Sequence, residues 1–106
     1  MLSTPRWNAE QEMMRKAFPE FQPFIDRKHF GFAGQLRGRT DKVYQVEIKA
    51  EVAHYPAKTP KIFISPRCGH NYFFDGSLCV HRRWRPDRDT LAQQVLFAAK
   101  YVQEKG

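Results

Sequence analysis

Cysteine and long apolar segments are scarce in this sequence. It holds two cysteines among 106 residues, and no segment approaches the roughly 20 apolar residues that a membrane-spanning helix needs. The first residues contain no apolar stretch of secretory length either. We therefore expect a cytoplasmic protein that does not contact membranes. In that compartment Cys68 and Cys79 are expected to be reduced, which favours reactive or metal chemistry over a disulfide.

Internal repeats, Gly/Ser linkers and low-complexity runs are also missing from the sequence. Hydrophobic residues make up 42% of it and aromatic residues 14%, including nine Phe, which excludes an intrinsically disordered chain. A chain of this length buries about 65% of its unfolded surface, enough for a core without disulfides. The sequence therefore predicts one domain over residues 1–106.

Acidic residues are few in the centre of the chain, although the net charge of the whole is only +7. Between Val52 and Pro86 the one acidic residue is Asp75. The same stretch holds six basic residues: Lys58, Lys61, Arg67, Arg82, Arg83 and Arg85. Such a balance is typical of a surface that binds nucleic acid, anionic lipid or an acidic protein.

Hydrophobic periodicity predicts two helices and an antiparallel sheet. A capping Thr4 begins the first predicted helix, and Pro19 ends it. Alternating apolar residues predict three strands of a meander: His29–Arg37, Tyr44–Val52 and Lys61–Ser65. Helical spacing returns from Leu91 onward, with Asp89 or Thr90 as the cap. The predicted class is α+β, with the helices packed on one face or end of the sheet.

A segment without sustained period runs from Pro66 to Asp89 and contains both cysteines. An irregular segment of that length in a compact domain is usually functional. Short motifs follow one another in and around it: Tyr55-Pro56, Thr59-Pro60, His70-Asn71, Gly76-Ser77-Leu78-Cys79, Trp84-Arg85-Pro86 and Thr90-Leu91. In this order, with Asn71 eight residues and Gly76 three residues before Cys79, they resemble the central block of ubiquitin-conjugating enzymes.

The resemblance covers about residues 42 to 104 and implies both a fold and an activity. The implied fold is ubiquitin-conjugating-like, with an N-terminal helix, an antiparallel β-meander, an irregular active-site segment and a C-terminal helix. The implied activity is that Cys79 accepts the C-terminal glycine of a protein as a thioester and transfers it to an amine. A thiolate suits this role because it is a strong nucleophile and a good leaving group.

Three further side chains are candidates for the same site. The resemblance implies that Asn71 organises the loop and helps to stabilise the oxyanion, and its alternative role is a local hydrogen bond in a turn. His70 and His81 are candidate proton handlers, and a structural role for His70 stays open. Gly76 is expected to take a positive φ before the cysteine, and Trp84 is expected to pack rather than react.

The chain also departs from common members of the family. We expect it to be about three residues shorter between Cys79 and Trp84, and to lack a counterpart of the two C-terminal helices and of the acidic loop that helps to position an acceptor lysine. A compact form of this kind resembles the prokaryotic ubiquitin-conjugating-like proteins of antiphage systems. That resemblance implies thioester carriage in a bacterial conjugation system and leaves lysine ligation open.

The same resemblance implies particular partners. They are an ATP-using activating enzyme, a ubiquitin-like or other glycine-terminated protein and, in some systems, a cyclic-oligonucleotide synthase. No cofactor is expected for this chain, because it contains neither a phosphate-binding glycine loop nor a dinucleotide-binding glycine pattern.

Two alternatives remain open beside the acyl carrier. Cys68-Gly69-His70 and Cys79-Val80-His81 are two Cys-x-His pairs that offer four zinc ligands, although structural zinc pairs are usually spaced more widely. The basic segment, with Phe73, Phe74 and Trp84 as stacking groups, would suit a non-catalytic module that binds a protein or single-stranded nucleic acid. The ordered motifs favour the acyl carrier, so we expect neither a metal nor nucleic acid as its partner.

Overall fold

The computed structural model describes residues 2–66, 73–74, 76–78 and 83–106, and at 73 and 74 it describes the backbone alone. Its elements, in chain order, are helix α1 (Thr4–Ala17), strands β1 (Gln22–Ile25), β2 (His29–Arg37), β3 (Val43–Glu51), β4 (Lys61–Ser65), β5 (Phe73–Phe74) and β6 (Ser77–Leu78), and helix α2 (Leu91–Lys105). The predicted α+β class is therefore confirmed.

Side-chain caps determine where the two helices begin. Ser3, rather than the predicted Thr4, caps α1: its hydroxyl accepts a hydrogen bond of 3.3 Å from the backbone N–H three residues further on. This places Pro5 in the first turn, where a missing N–H leaves no helical bond unmade. Of the two predicted caps for α2, Thr90 is the one used, with a hydrogen bond of 3.2 Å to the N–H three residues later.

Four strands form one antiparallel sheet in the order β1-β2-β3-β4. The predicted bounds of β2 and β4 are confirmed, and β3 begins and ends one residue earlier than expected. The three-stranded prediction was wrong by one strand, because Pro23 obscures the strand pattern of β1. Pro23 is tolerated there because β1 pairs with β2 alone, and an edge strand can leave one position without a ladder hydrogen bond.

The core lies between one face of the sheet and the two helices. Alternate residues of the strands supply half of it: Phe30, Phe32, Tyr44, Val46, Ile48, Ala50, Ile62 and Ile64. The helices supply Met14, Leu91, Val95, Ala98 and Val102, and Phe21, Tyr55 and Leu78 complete it. Burying each large side chain stabilises the fold by about 1.5–3 kcal/mol. Both helices are thereby fixed to the sheet.

The segment predicted to be irregular contains a short hairpin, which corrects that expectation. β5 and β6 pair antiparallel, with Phe73 opposite Leu78 and Phe74 opposite Ser77. β6 also lies beside β4, so the hairpin is attached to the main sheet region. Neither helix of the described residues is long and apolar enough to cross a membrane.

Candidate functional site

The residues predicted to perform the chemistry, Cys79, Asn71, His70 and His81, lie outside the described residues. Their roles therefore stay predictions. The structure does describe the chain on both sides of Cys79, up to Leu78 and again from residue 83 onward. The site can thus be built from the contacts that hold these two flanks.

The upstream flank is the turn and second strand of the hairpin. Gly76 has φ of +80°, a conformation that favours glycine, so the predicted positive φ is confirmed. The turn leads into β6, where Leu78 is only 8% exposed and belongs to the hydrophobic core. The residue immediately before Cys79 is therefore anchored by burial.

The downstream flank is anchored by an indole. Trp84 is half-buried against the core, and its Nε1–H donates a hydrogen bond of 2.7 Å to the carbonyl oxygen of Pro56. Its ring centroid lies 6.0 Å from that of Tyr55. The expected packing role of Trp84 is confirmed, and its partner is the Tyr55-Pro56 corner.

A tight turn follows Trp84 and leads into α2. The backbone N–H of Arg85 donates to Oδ2 of Asp89 at 2.7 Å, and the N–H groups of Arg88 and Asp89 donate to the carbonyl of Arg85 at 3.0 and 2.8 Å. Asp89 is only 2% exposed. This turn fixes the path of the chain between Trp84 and the Thr90 cap.

Helix α1 reaches this turn through a single guanidinium group. Arg6 donates to four acceptors: Oε2 of Glu10 at 2.9 Å, the hydroxyl of Tyr55 at 3.1 Å, and the carbonyl oxygens of Pro86 at 3.0 Å and Asp89 at 2.7 Å. A planar guanidinium has five N–H donors in a fixed fork and can satisfy several acceptors at once. We call Arg6, Glu10, Tyr55 and Asp89 the α1 cluster.

Glu10 is the buried centre of the α1 cluster. Its side chain is fully buried and accepts hydrogen bonds from Arg6, from the hydroxyl of Tyr55 and, at 3.0 Å, from the backbone N–H of Leu91. That N–H opens α2 and has no partner within the helix. One carboxylate therefore joins α1, the Tyr55-Pro56 corner and the start of α2.

The charges of the α1 cluster support these hydrogen bonds. Burial, and then the neighbouring Glu10 carboxylate, raise the pKa of Tyr55, so its hydroxyl keeps the proton that it donates. Burial alone would lower the pKa of Arg6, but hydrogen bonds to Glu10 and Tyr55 outweigh it, and the pKa is raised. Within the described residues no buried side-chain nitrogen or oxygen lacks a hydrogen-bond partner.

The α1 cluster was missed by the sequence analysis, although one signal was present. Glu10 follows Trp7 by three residues and precedes Met14 by four, so it lies on the apolar face of α1. A carboxylate in that position is almost never fully buried unless it is paired. Arg6, four residues earlier, is the partner that this spacing predicts.

The two alternative functions gain no direct support from the described part of the chain. It contains no group of three His, Cys, Asp or Glu residues that could hold a metal, and both Cys-x-His pairs lie outside it. One cation of the basic segment, Lys58, forms an ion pair with Glu51, the residue just before the segment. Both alternatives stay predictions.

No protein-family model matches this chain, and neither does any curated protein or solved structure. The resemblance to ubiquitin-conjugating enzymes therefore depends on the motifs of the chain itself.

Proposed function

We propose that this chain is a ubiquitin-conjugating-like acyl carrier that accepts the C-terminal glycine of a protein as a thioester on Cys79 and transfers it to an amine. The observation that carries the proposal is the ordered motif set, with Asn71, Gly76 and Cys79 at the family's spacing. We further propose a bacterial antiphage conjugation system as its context, on the resemblance to compact prokaryotic members.

The contacts around the motifs support this function. Leu78 and Trp84 are anchored to the core and to Pro56, and only five residues separate them. The six steps from Leu78 to Trp84 span at most about 22 Å when fully extended. Such a short connection between fixed ends restricts where Cys79 can lie, as a nucleophile that must meet a large protein substrate requires.

The proposed reaction has two acyl-transfer steps. The Cys79 thiolate attacks the carbonyl carbon of the activated glycine, a C–S bond forms, and the activating group leaves with its electron pair. An amine then attacks the same carbon: a C–N bond forms, the C–S bond breaks, and the Cys79 thiolate departs. Asn71 donates a hydrogen bond to the oxyanion, and His70 or His81 takes the proton that the amine loses.

The test combines the protein with ATP, the activating enzyme and the glycine-terminated protein encoded beside it. We expect an adduct on non-reducing gels that a thiol reagent removes. Cys79→Ala should abolish it, and Cys79→Ser should convert it to an ester that resists thiols. Cys68→Ser is the matched control and should leave the adduct unchanged. An adduct that survives Cys79→Ala, or stoichiometric zinc in the purified protein, would contradict the proposal.

A further inference from the structure

We propose that Arg6 and Glu10 are positioning residues, which hold the chain that follows Cys79 in the geometry that acyl transfer needs. Neither residue belongs to the motifs that suggested the function, and the inference rests on the proposed function because Cys79 is the group positioned. The two residues lie on α1, far from Cys79 in sequence, and act through Tyr55 and through the backbone from Pro86 to Leu91.

Arg6 reaches both ends of the turn that follows Trp84. Its two terminal nitrogens contact carbonyl oxygens at both ends of the turn, Pro86 at 3.0 Å and Asp89 at 2.7 Å. These backbone contacts do not depend on which side chains the turn carries, so they fix the path of the chain itself. A lysine carries its charge on one compact ammonium and could not contact both carbonyls as well as Glu10.

Glu10 links the Tyr55-Pro56 corner to the start of α2. Its carboxylate accepts from the hydroxyl of Tyr55 and from the N–H of Leu91. Tyr55 precedes Pro56, whose carbonyl accepts the indole hydrogen bond of Trp84 at 2.7 Å. Glu10 is therefore linked to Trp84, five residues after Cys79, along a path in which each link is a hydrogen bond or a peptide bond.

The contribution of the Arg6–Glu10 pair to stability differs from its contribution to placement. A buried ion pair is often no more stabilising than apolar residues of the same volume, because removing two charges from water offsets their attraction. Arg6 and Glu10 together satisfy four groups besides each other: the Tyr55 hydroxyl, which contacts both, the carbonyls of Pro86 and Asp89, and the N–H of Leu91. What the pair provides beyond burial is directional restraint on the flank of Cys79.

The experiment measures Cys79 in a Cys68→Ser background, so that one thiol is present. The variants Arg6→Lys and Glu10→Gln keep the size of each side chain and change its hydrogen bonding. Arg15→Lys and Glu12→Gln are the matched controls, because Arg15 and Glu12 form an exposed ion pair on the same helix. Circular dichroism and urea unfolding at 25 °C identify the variants that are folded. If Glu10→Gln is unfolded, the comparison is made with Arg6→Lys alone, which keeps its positive charge.

Two readouts are compared. The first is the rate of Cys79 alkylation by iodoacetamide against pH, where we expect Arg6→Lys and Glu10→Gln to move the midpoint by about half a unit or more. The second is transfer from a synthetic peptide that ends in a glycyl thioester. We expect its maximal rate to fall about tenfold or more with little change in KM, since a misplacement of about 1 Å can reduce a rate a hundredfold.

The outcomes separate this inference from the proposed function. If the adduct formed with the activating enzyme survives Cys79→Ala, the proposed function fails, and the alkylation profile still tests positioning. A profile that changes in Arg6→Lys and Glu10→Gln but not in the controls supports positioning. The positioning role is overturned if the alkylation profile is the same in all four folded variants. It is also overturned if the control variants Arg15→Lys and Glu12→Gln change the profile as much as Arg6→Lys and Glu10→Gln do.

Discussion

Removing the carboxylate of Glu10 is the sharpest test of how the two helices are joined. Glu10→Ala takes away the acceptor for three donors: the guanidinium of Arg6, the hydroxyl of Tyr55 and the N–H of Leu91. The Glu10 side chain is fully buried, so water can replace its carboxylate as the acceptor only if the surrounding structure opens locally. We expect a large loss of stability from a single substitution.

The size of the loss follows from the groups left behind. A buried donor without a partner costs about 1–3 kcal/mol, and both the Tyr55 hydroxyl and the Leu91 N–H fall in this class. Arg6 keeps three other acceptors and 24% exposure of its side chain, which reduces its share. Breaking a buried ion pair costs about 3–5 kcal/mol as a whole. The whole free energy of unfolding of a domain of this size is about 5–15 kcal/mol.

Urea and thermal unfolding under reducing conditions measure this loss. At about 4 °C per kcal/mol for a domain of about 100 residues, we expect Glu10→Ala to lower Tm by more than about 10 °C. Glu12→Ala is the control, because Glu12 is 50% exposed in its pair with Arg15, and such pairs contribute about 0.2–1 kcal/mol. Similar losses in the two variants would refute the reasoning, since burial would then not distinguish the two carboxylates.

Two further predictions concern a glycine and a tyrosine. Gly31→Ala places a Cβ 1.8 Å from the backbone carbonyl oxygen of Ile48, which no side-chain rotation relieves, so unfolding experiments should show a loss of about 3 kcal/mol or more. In Gly34→Ala the new Cβ lies 2.6 Å from the ring of Phe21, a side chain that can shift, so the free energy of unfolding should fall by only about 1 kcal/mol. Equal losses of stability in the two variants would contradict this contrast. The raised pKa of Tyr55, caused by burial and Glu10, implies stability that is present below about pH 10 and is lost as pH rises above it, where the unfolded chain ionises first. The stability gap between the parent protein and Tyr55→Phe should therefore shrink between pH 9 and pH 11 in urea titrations, and a constant gap would show that the hydroxyl ionises equally in both states.

Local patterns were sufficient to predict most of the framework. The bounds of β2 and β4 follow from alternation that is visible within nine and five residues. Thr90 caps α2 through a bond to a residue three positions later, also a local signal. β1 was missed because its position depends on pairing with β2, and Pro23 masks a strand whose edge location no local pattern indicates.

The candidate site was predicted only where its determinants are local. Gly76 could be assigned a positive φ from its place in a turn before Cys79. Apart from the Arg6–Glu10 pair, the contacts of the α1 cluster join residues 45 to 83 positions apart, so no short window of sequence contains both partners. The sequence offered a carboxylate on an apolar helical face with Arg6 four residues before it, and only the fold identifies the other two donors, Tyr55 and Leu91.

These long-range contacts decide how much of the chain belongs to the proposed site. The turn after Trp84 is closed by its own hydrogen bond between Arg85 and Asp89, and its attachment to α1 comes from Arg6 and Glu10. Without α1, the first N–H of α2 and the hydroxyl of Tyr55 would lose their shared acceptor inside the core. The smallest unit able to hold the flanks of Cys79 therefore extends from the Ser3 cap through α2, although every motif that suggested the chemistry lies in the second half of the chain.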